Sequence, residues 1–235
     1  MKSTHREFHT HSTASQQNWL RASVLGANDG IVSLAALVVG IAGTSVTTHT
    51  LLLTGIAGLL AGALSMAMGE YVSVSSQRDT EKALLDKERY ELKHYADSEL
   101  DELTSLYEQK GLTKTTARTV AEELTAHDVF AAHVDAELGI DPTNLTNPIQ
   151  AAFASAASFS IGAIIPLLAI LFAPVATRIA ITFVAVLVAL FLTGYLSARV
   201  SGAEPLRVIL RTTLGGVIAM AITFGIGRLF DVAVG

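Results

Sequence analysis

The sequence predicts an all-α integral membrane protein, with five transmembrane helices and a three-helix cytoplasmic metal-binding domain inserted between the second and third. Three observations carry this prediction. Hydrophobic residues make up 51% of the 235 and mean hydropathy is positive, a composition of membrane rather than ordinary globular proteins. Five apolar runs reach the roughly 20 residues that a helix needs to cross a hydrocarbon core of about 30 Å. Between runs two and three lies a polar stretch that holds most of the acidic residues.

Residues 1–20 carry Lys2, Arg6, His5, His9 and His11 but no apolar core of a signal peptide, so they read as a disordered tail kept in the cytoplasm. Its histidines are either solvated or open to metal. Residues 21–76 hold the spans Ala22–Gly43 and Leu51–Val74, joined by the charge-free turn Thr44–Thr50. Residues 77–147 form the insert. Within it, Gln77–Gln109 reads as one long helix continuing from span two and closed by Lys110-Gly111, Gly being suited to the position after a helix end. Thr113 caps a short helix to about Leu124, and a third runs from about Ala126 to Leu138 before Gly139 and Pro142. Residues 148–235 hold the spans Ile149–Ala173, Ile179–Leu196 and Val208–Gly227, with Pro166 predicting a kink in the first of them.

Orientation follows from the basic residues. Lys2, Arg6 and Arg21 precede span one, and Arg199, Arg207 and Arg211 surround the joint between spans four and five, with Arg178 and Arg228 as exceptions. Positive loops face the cytoplasm, which places the insert there too. The net charge of −5 without a long Lys/Arg run excludes a nucleic-acid partner. The absence of cysteine excludes disulfides, thiolate zinc sites and iron–sulfur clusters, and no prosthetic group is expected. Any metal must be held by oxygen, imidazole or thioether.

Two polar groups stand out inside the spans. Asp29, in Gly26-Ala27-Asn28-Asp29-Gly30, falls roughly 12 Å from the cytoplasmic end of span one at about 1.5 Å per residue. A charged Asp near the membrane centre costs about 2.5–3.5 kcal/mol, so it faces a polar path or a partner unless the span begins later. Met66, on a span running the opposite way, reaches the same depth, and Glu70 lies one turn nearer the cytoplasm on its face. Met66 alone would read as packing, and the shared depth makes the three a candidate ion path. Gly58 and Gly62 have the spacing of a close helix contact, which could bury a subunit interface.

On the long helix of the insert, Glu81, Glu88, Glu91, Glu99 and Glu102 fall within a sector of roughly 80°, with Tyr95 among them and Leu84, Leu92 and Leu106 in or beside it. Glutamates that share a face with apolar residues repel one another unless a cation sits between them. His133 and Glu137 add a pair at i,i+4 that presents both side chains to one ion. Oxygen ligands with an imidazole and a thioether suit Fe²⁺ or Mn²⁺, with Co²⁺ and Zn²⁺ also possible.

The chain resembles the vacuolar iron transporter family, which includes the yeast vacuolar iron and manganese carrier and plant nodulin-like proteins. The resemblance runs from Leu20 onward and rests on Gly26-Ala27-Asn28-Asp29-Gly30-Ile31-Val32, Met66-Ala67-Met68-Gly69-Glu70-Tyr71-Val72-Ser73, Ser76-Gln77-Arg78 and Gly162-Ala163-Ile164-Ile165-Pro166. It implies a homodimer with five spans per subunit that exports Fe²⁺ from the cytoplasm in exchange for protons. It also implies that Asp29 and Met66 line the ion path, and that Glu88, Glu91, Glu99, Glu102 and Glu137 belong to a cytoplasmic metal-binding domain. His133 departs from the pattern, since members of the family can carry Met one turn before the last glutamate.

Two other functions compete with transport. Glu91-Leu92-Lys93-His94 is a Glu-x-x-His motif of the kind used by ferritin-like oxidases, but such sites need two motifs plus two further glutamates. One is present, so no enzyme is expected. A metal sensor anchored by its spans would leave Asp29 and Glu70 without a purpose. A short chain without a plant-type targeting extension suggests a prokaryotic cell membrane, with a vacuolar membrane as the alternative.

Overall fold

A computed structural model describes residues 14–234. The residues described are helical, with no strand: α1 (Ala14–Ala42), α2 (Thr48–His94), α3 (Ala96–Gln109), α4 (Lys114–His133), a π-turn (Val134–Leu138), α5 (Pro148–Phe172), α6 (Arg178–Ser201) and α7 (Pro205–Val234). Five of these helices are long and apolar enough to cross a membrane, and the protein is a multi-pass membrane protein. The expected tail of residues 1–20 is shortened, because α1 already begins at Ala14. Gln16, Gln17, Leu20 and Arg21 are good helix formers and extend the first helix backwards from the span, which begins at Ala22. His5, His9 and His11 lie outside the described residues.

The chain divides into two compact units, one from Gln17–Val72 and Pro148–Gly235 and the other containing Ser73–Asn147. In the first, α1 is the central helix. One of its faces sets Leu34, Val38 and Ala42 against Leu51 of α2 and Phe159, Ala163 and Leu167 of α5. The other sets Ile31, Ala35 and Val39 against Val186, Ala189 and Leu190 of α6 and Met220 of α7. Each row repeats every four residues, so an almost wholly apolar helix is buried on two sides.

The glycines of α2 serve this packing. A Cβ at Gly55 would meet Leu167, one at Gly58 would meet Leu37 and Leu34, and one at Gly62 would meet Phe159. The Gly58/Gly62 pair expected at a subunit interface is therefore consumed within the chain, where it lets α2 approach α1 and α5. The row left facing outward is Leu53, Ile56, Leu60, Leu64 and Met68. Helix α5 runs through Pro166 as a single helix.

In the second unit the expected long helix is interrupted. Tyr95, at φ −133 and ψ 35, leaves the helical region and separates α2 from α3. Asp97 and Glu99 occupy the first turn of the new helix, where negative charge is favoured by the helix dipole. Helix α3 ends as expected, with Gly111 at φ 99. The Thr113 hydroxyl accepts from the Thr116 amide at 3.4 Å and caps α4. The break expected near residues 124–126 falls instead at Asp128, whose φ of −158 and ψ of 96 are non-helical. Its carboxylate accepts from the Ala131 amide at 3.0 Å, so Asp128 acts as an internal cap for the segment that follows. That segment ends at Gly139 in the left-handed region, φ 60.

Candidate metal sites

The unit containing Ser73–Asn147 brings Glu88 of α2, Glu99 of α3 and His133 of α4 together. One ligand atom of each lies within 4.8 Å of the others. On an unbroken helix, Glu88 and Glu99 would stand about 16 Å apart along the axis at 1.5 Å per residue, so the break at Tyr95 is what allows them to approach each other. The sequence places Glu88 and Glu99 on one face of a continuous helix; the structure brings them together across a helix break instead. The packing row differs correspondingly: Leu85 and Leu103 are buried, and Leu84 is exposed. Arg118 fixes α4 to α3 through Asp101 at 2.5 Å, and also pairs with Glu122 at 2.7 Å.

All three convergent side chains are buried, Glu88 at 2% exposed, Glu99 at 6% and His133 at 0%. His133 Nδ1 comes within 3.1 Å of Glu88 Oε1 and 3.7 Å of Glu99 Oε2. Yet Glu88 Oε1 and both ring nitrogens of His133 lack a hydrogen-bond partner. Buried polar atoms without partners are strongly disfavoured, and here they converge on one point, as ligand atoms of a cation do. Burial, followed by the charges of Glu137 and Glu99, pushes the Glu88 carboxyl up to about 7. Burial and the charges of Glu102 and Glu91 raise Glu99 as well. Burial also lowers His133, against the opposing pull of Glu137 and Glu102, which favours an imidazole with a free lone pair.

The other predicted ligands surround this core unequally. Glu137, on the π-turn, shares a hydrogen bond with Glu88. Glu91 is half-buried and paired with Lys87 at 2.9 Å, a cation within the acidic group that the sequence reading passed over. Glu102 is exposed and acts on Glu99 and His133 through its charge. Glu81 does not join them. It accepts from the Thr146 amide and hydroxyl, both at 3.2 Å, and from Gln77 at 3.0 Å, and so fastens the end of the insert to α2. His94, the histidine of the Glu-x-x-His motif, stacks on Tyr90 at 4.1 Å and contacts its carbonyl at 2.7 Å. The imidazole that converges with buried carboxylates is that of His133, not His94.

In the membrane unit, Asp29 and Met66 line one cavity of about 220 Å³ between α1, α2 and α5. Ser33 and Ser65 add hydroxyls, and Phe159 and Gly62 supply apolar wall. Asp29 and Met66, expected to meet, are thus both among the residues lining one space, with Ser33 and Ser65. The Ser33 hydroxyl donates to the Asp29 carbonyl. Asn28 Oδ1 is buried without a partner beside it in sequence. Met66 also packs against the core of α1 and α5. Glu70 is half-buried one turn further along α2 and is not among the residues lining the cavity.

Residues 20–228 match the VIT family. The chain belongs to that family. Among its relatives, a protein of Acanthamoeba castellanii named vacuolar iron transporter is 44% identical over 222 residues, covering 94% of this chain and 82% of that protein. Vacuolar iron transporter homolog 5 of Oryza sativa is 38% identical, covering 92% and 83% of the two chains. Vacuolar iron transporter homolog 2 of Arabidopsis thaliana is 36% identical, covering 95% and 90%. The VIT family members named here are called transporters, not enzymes. They are eukaryotic and vacuolar by name, so the prokaryotic cell membrane expected from chain length finds no support.

Proposed function

We propose that this protein carries Fe²⁺, and Mn²⁺ with it, out of the cytoplasm across a vacuole-type membrane in exchange for protons. The observation that carries the reading is the buried Glu88–Glu99–His133 cluster with its unpartnered ligand atoms, in a chain whose spans also enclose a carboxylate and a thioether in one cavity. The donor set fits divalent first-row metals, including Co²⁺ and Zn²⁺. The names of the relatives favour iron among them. The insert faces the cytoplasm by the placement of Arg199, Arg207 and Arg211, and its acids collect the cation there.

In this reading Asp29, Met66 and Glu70 serve the passage through the spans, while Glu88, Glu91, Glu99, Glu102, His133 and Glu137 serve capture. Proton exchange follows from the same groups. A carboxyl with a pKa of about 7, as at Glu88, gives up a proton when a cation takes its place, and carboxylates within spans alternate between proton and cation in the same way. The protein acts as a homodimer, for which the outward row of α2 offers an apolar face.

The test is flux of Fe²⁺ and Mn²⁺ into proteoliposomes containing the purified protein, with and without a pH gradient, for wild type and Asp29→Ala. Gradient-driven uptake that disappears in the variant is the expected outcome. Uptake indifferent to the gradient removes proton exchange, and absence of uptake by a protein that still binds metal turns the reading toward a sensor.

A further inference from the structure

We propose that His133 is the residue that sets metal selectivity in the insert, making the site reject the hard, oxygen-seeking cations Mg²⁺ and Ca²⁺ in favour of borderline ions such as Fe²⁺ and Co²⁺. The inference rests on the capture role proposed for this cluster and specifies which cations it admits. Without His133 the group would consist of carboxylates alone, Glu88, Glu99, Glu137, Glu91 and Glu102, a donor set that Mg²⁺, Ca²⁺ and Mn²⁺ accept readily. Such a set has charge but little discrimination. The imidazole changes its character, because a nitrogen ligand favours Fe²⁺, Co²⁺ and Zn²⁺ over Mg²⁺ and Ca²⁺.

Three features give His133 this weight. It is completely buried, neither ring nitrogen has a hydrogen-bond partner, and the carboxylates of Glu88 and Glu99 face Nδ1, where they would share a cation with it. Nδ1 stands 3.1 Å from Glu88 Oε1 and 3.7 Å from Glu99 Oε2, so an ion held by either carboxylate lies within reach of the ring. The burial of Glu88 and Glu99 leaves little access for water. Mg²⁺ dehydrates reluctantly and usually keeps several waters, and a site that offers nitrogen in place of oxygen gives it poor compensation.

The position is also built for rigidity. His133 lies on the segment restarted by the Asp128 cap and closed by Gly139, and it directly precedes the π-turn carrying Glu137. Ring and carboxylate are thereby presented together by a short stretch of backbone fixed at both ends. A ligand that selects among ions must resist adjusting to all of them.

The experiment is calorimetric titration of the full-length protein in detergent with Co²⁺, anaerobic Fe²⁺, Mn²⁺ and Mg²⁺, comparing wild type, His133→Asn and Glu88→Gln. Asparagine offers an amide oxygen near the position of the ring nitrogen. Loss of the nitrogen ligand is expected to weaken Co²⁺ and Fe²⁺ by about tenfold or more while Mg²⁺ changes little, so their ratio falls by a similar factor. The visible absorption of bound Co²⁺ should shift as nitrogen leaves its coordination sphere. An unchanged Co²⁺ to Mg²⁺ ratio with a metal-binding variant overturns the role of His133. Wild-type titrations indifferent to Glu88→Gln overturn the capture site itself. If His133→Asn does not fold, the wild type decides: bound Co²⁺ with the visible spectrum of an all-oxygen site, or displaced by equimolar Mg²⁺, refutes the proposal, and bound Co²⁺ with the spectrum of a nitrogen-containing site, retained against a large Mg²⁺ excess, supports it.

Discussion

Replacing Glu88 with Gln should make the metal-free protein more stable at alkaline pH, although it removes a ligand. Glu88 is 2% exposed and has neighbouring acids that disfavour its charge, which raises its carboxyl from 4.5 to about 7. That difference corresponds to on the order of 3 kcal/mol at about 1.4 kcal/mol per tenfold change in proton affinity. A raised carboxyl contributes stability that is complete below its unfolded value of 4.5 and is lost as pH rises through about 7. Above pH 7 the folded protein therefore holds a buried charge that glutamine, of the same shape, does not carry. Glu99 and Glu137 share part of the penalty, so the net gain in Glu88→Gln is about 1–3 kcal/mol at pH 8 and near zero at pH 4.5. The assay is thermal unfolding followed by circular dichroism in chelator at both pH values, repeated with Co²⁺. Wild type should gain stability from Co²⁺ and the variant little. A variant less stable than wild type at pH 8 in chelator would show that the Glu88 charge is already satisfied without metal, and would refute the reasoning.

Metal affinity of the wild type should fall as pH is lowered through about 7, because a proton on Glu88 competes with the ion; titration in buffers of different ionisation enthalpy should show proton release on binding. Glu81→Ala removes three acceptor contacts, from Thr146 and Gln77, and should destabilise the insert by about 1–3 kcal/mol with metal affinity unchanged, read by the same melts and titrations; loss of affinity would place Glu81 in the site. Gly58→Leu drives a side chain into Leu37 and Leu34, and should lower the melting temperature of the spans, with an overpacking penalty of about 1–3 kcal/mol, while leaving the oligomeric state unchanged by light scattering; a stable variant with an altered oligomeric state would restore the interface reading.

The spans were legible because a bilayer imposes one simple requirement, an apolar run of fixed minimum length, and all five runs meet it. The nearness of Asp29 and Met66 was legible for a related reason: antiparallel helices of known rise turn sequence position into height, and the two residues line one cavity. The glycines of α2 show the limit of such counting. Their spacing states that something approaches closely, and only the packed structure shows that Leu37, Leu167 and Phe159 of the same chain do so.

The insert was legible in its chemistry but not in its assembly. The glutamates and the histidine of the buried cluster are among the candidates that the sequence offers, since a carboxylate beside apolar positions needs a partner. The break that joins Glu88 to Glu99 is not legible there. Tyr95 is neither glycine nor proline, and helix periodicity runs through it without a fault. With the turn there, the chain buries Leu85 and Leu103 and places both glutamates beside His133. The sole local trace is the acidic first turn at Asp97 and Glu99, a helix-start signal concealed within an acidic stretch. The same logic applies at Asp128, where the carboxylate caps a restart that its neighbours do not announce. Both breaks fall within a few residues of a side chain of the buried cluster, Glu99 after Tyr95 and His133 after Asp128. A straight α2 through residue 95 would keep every glutamate and hold Glu88 and Glu99 apart.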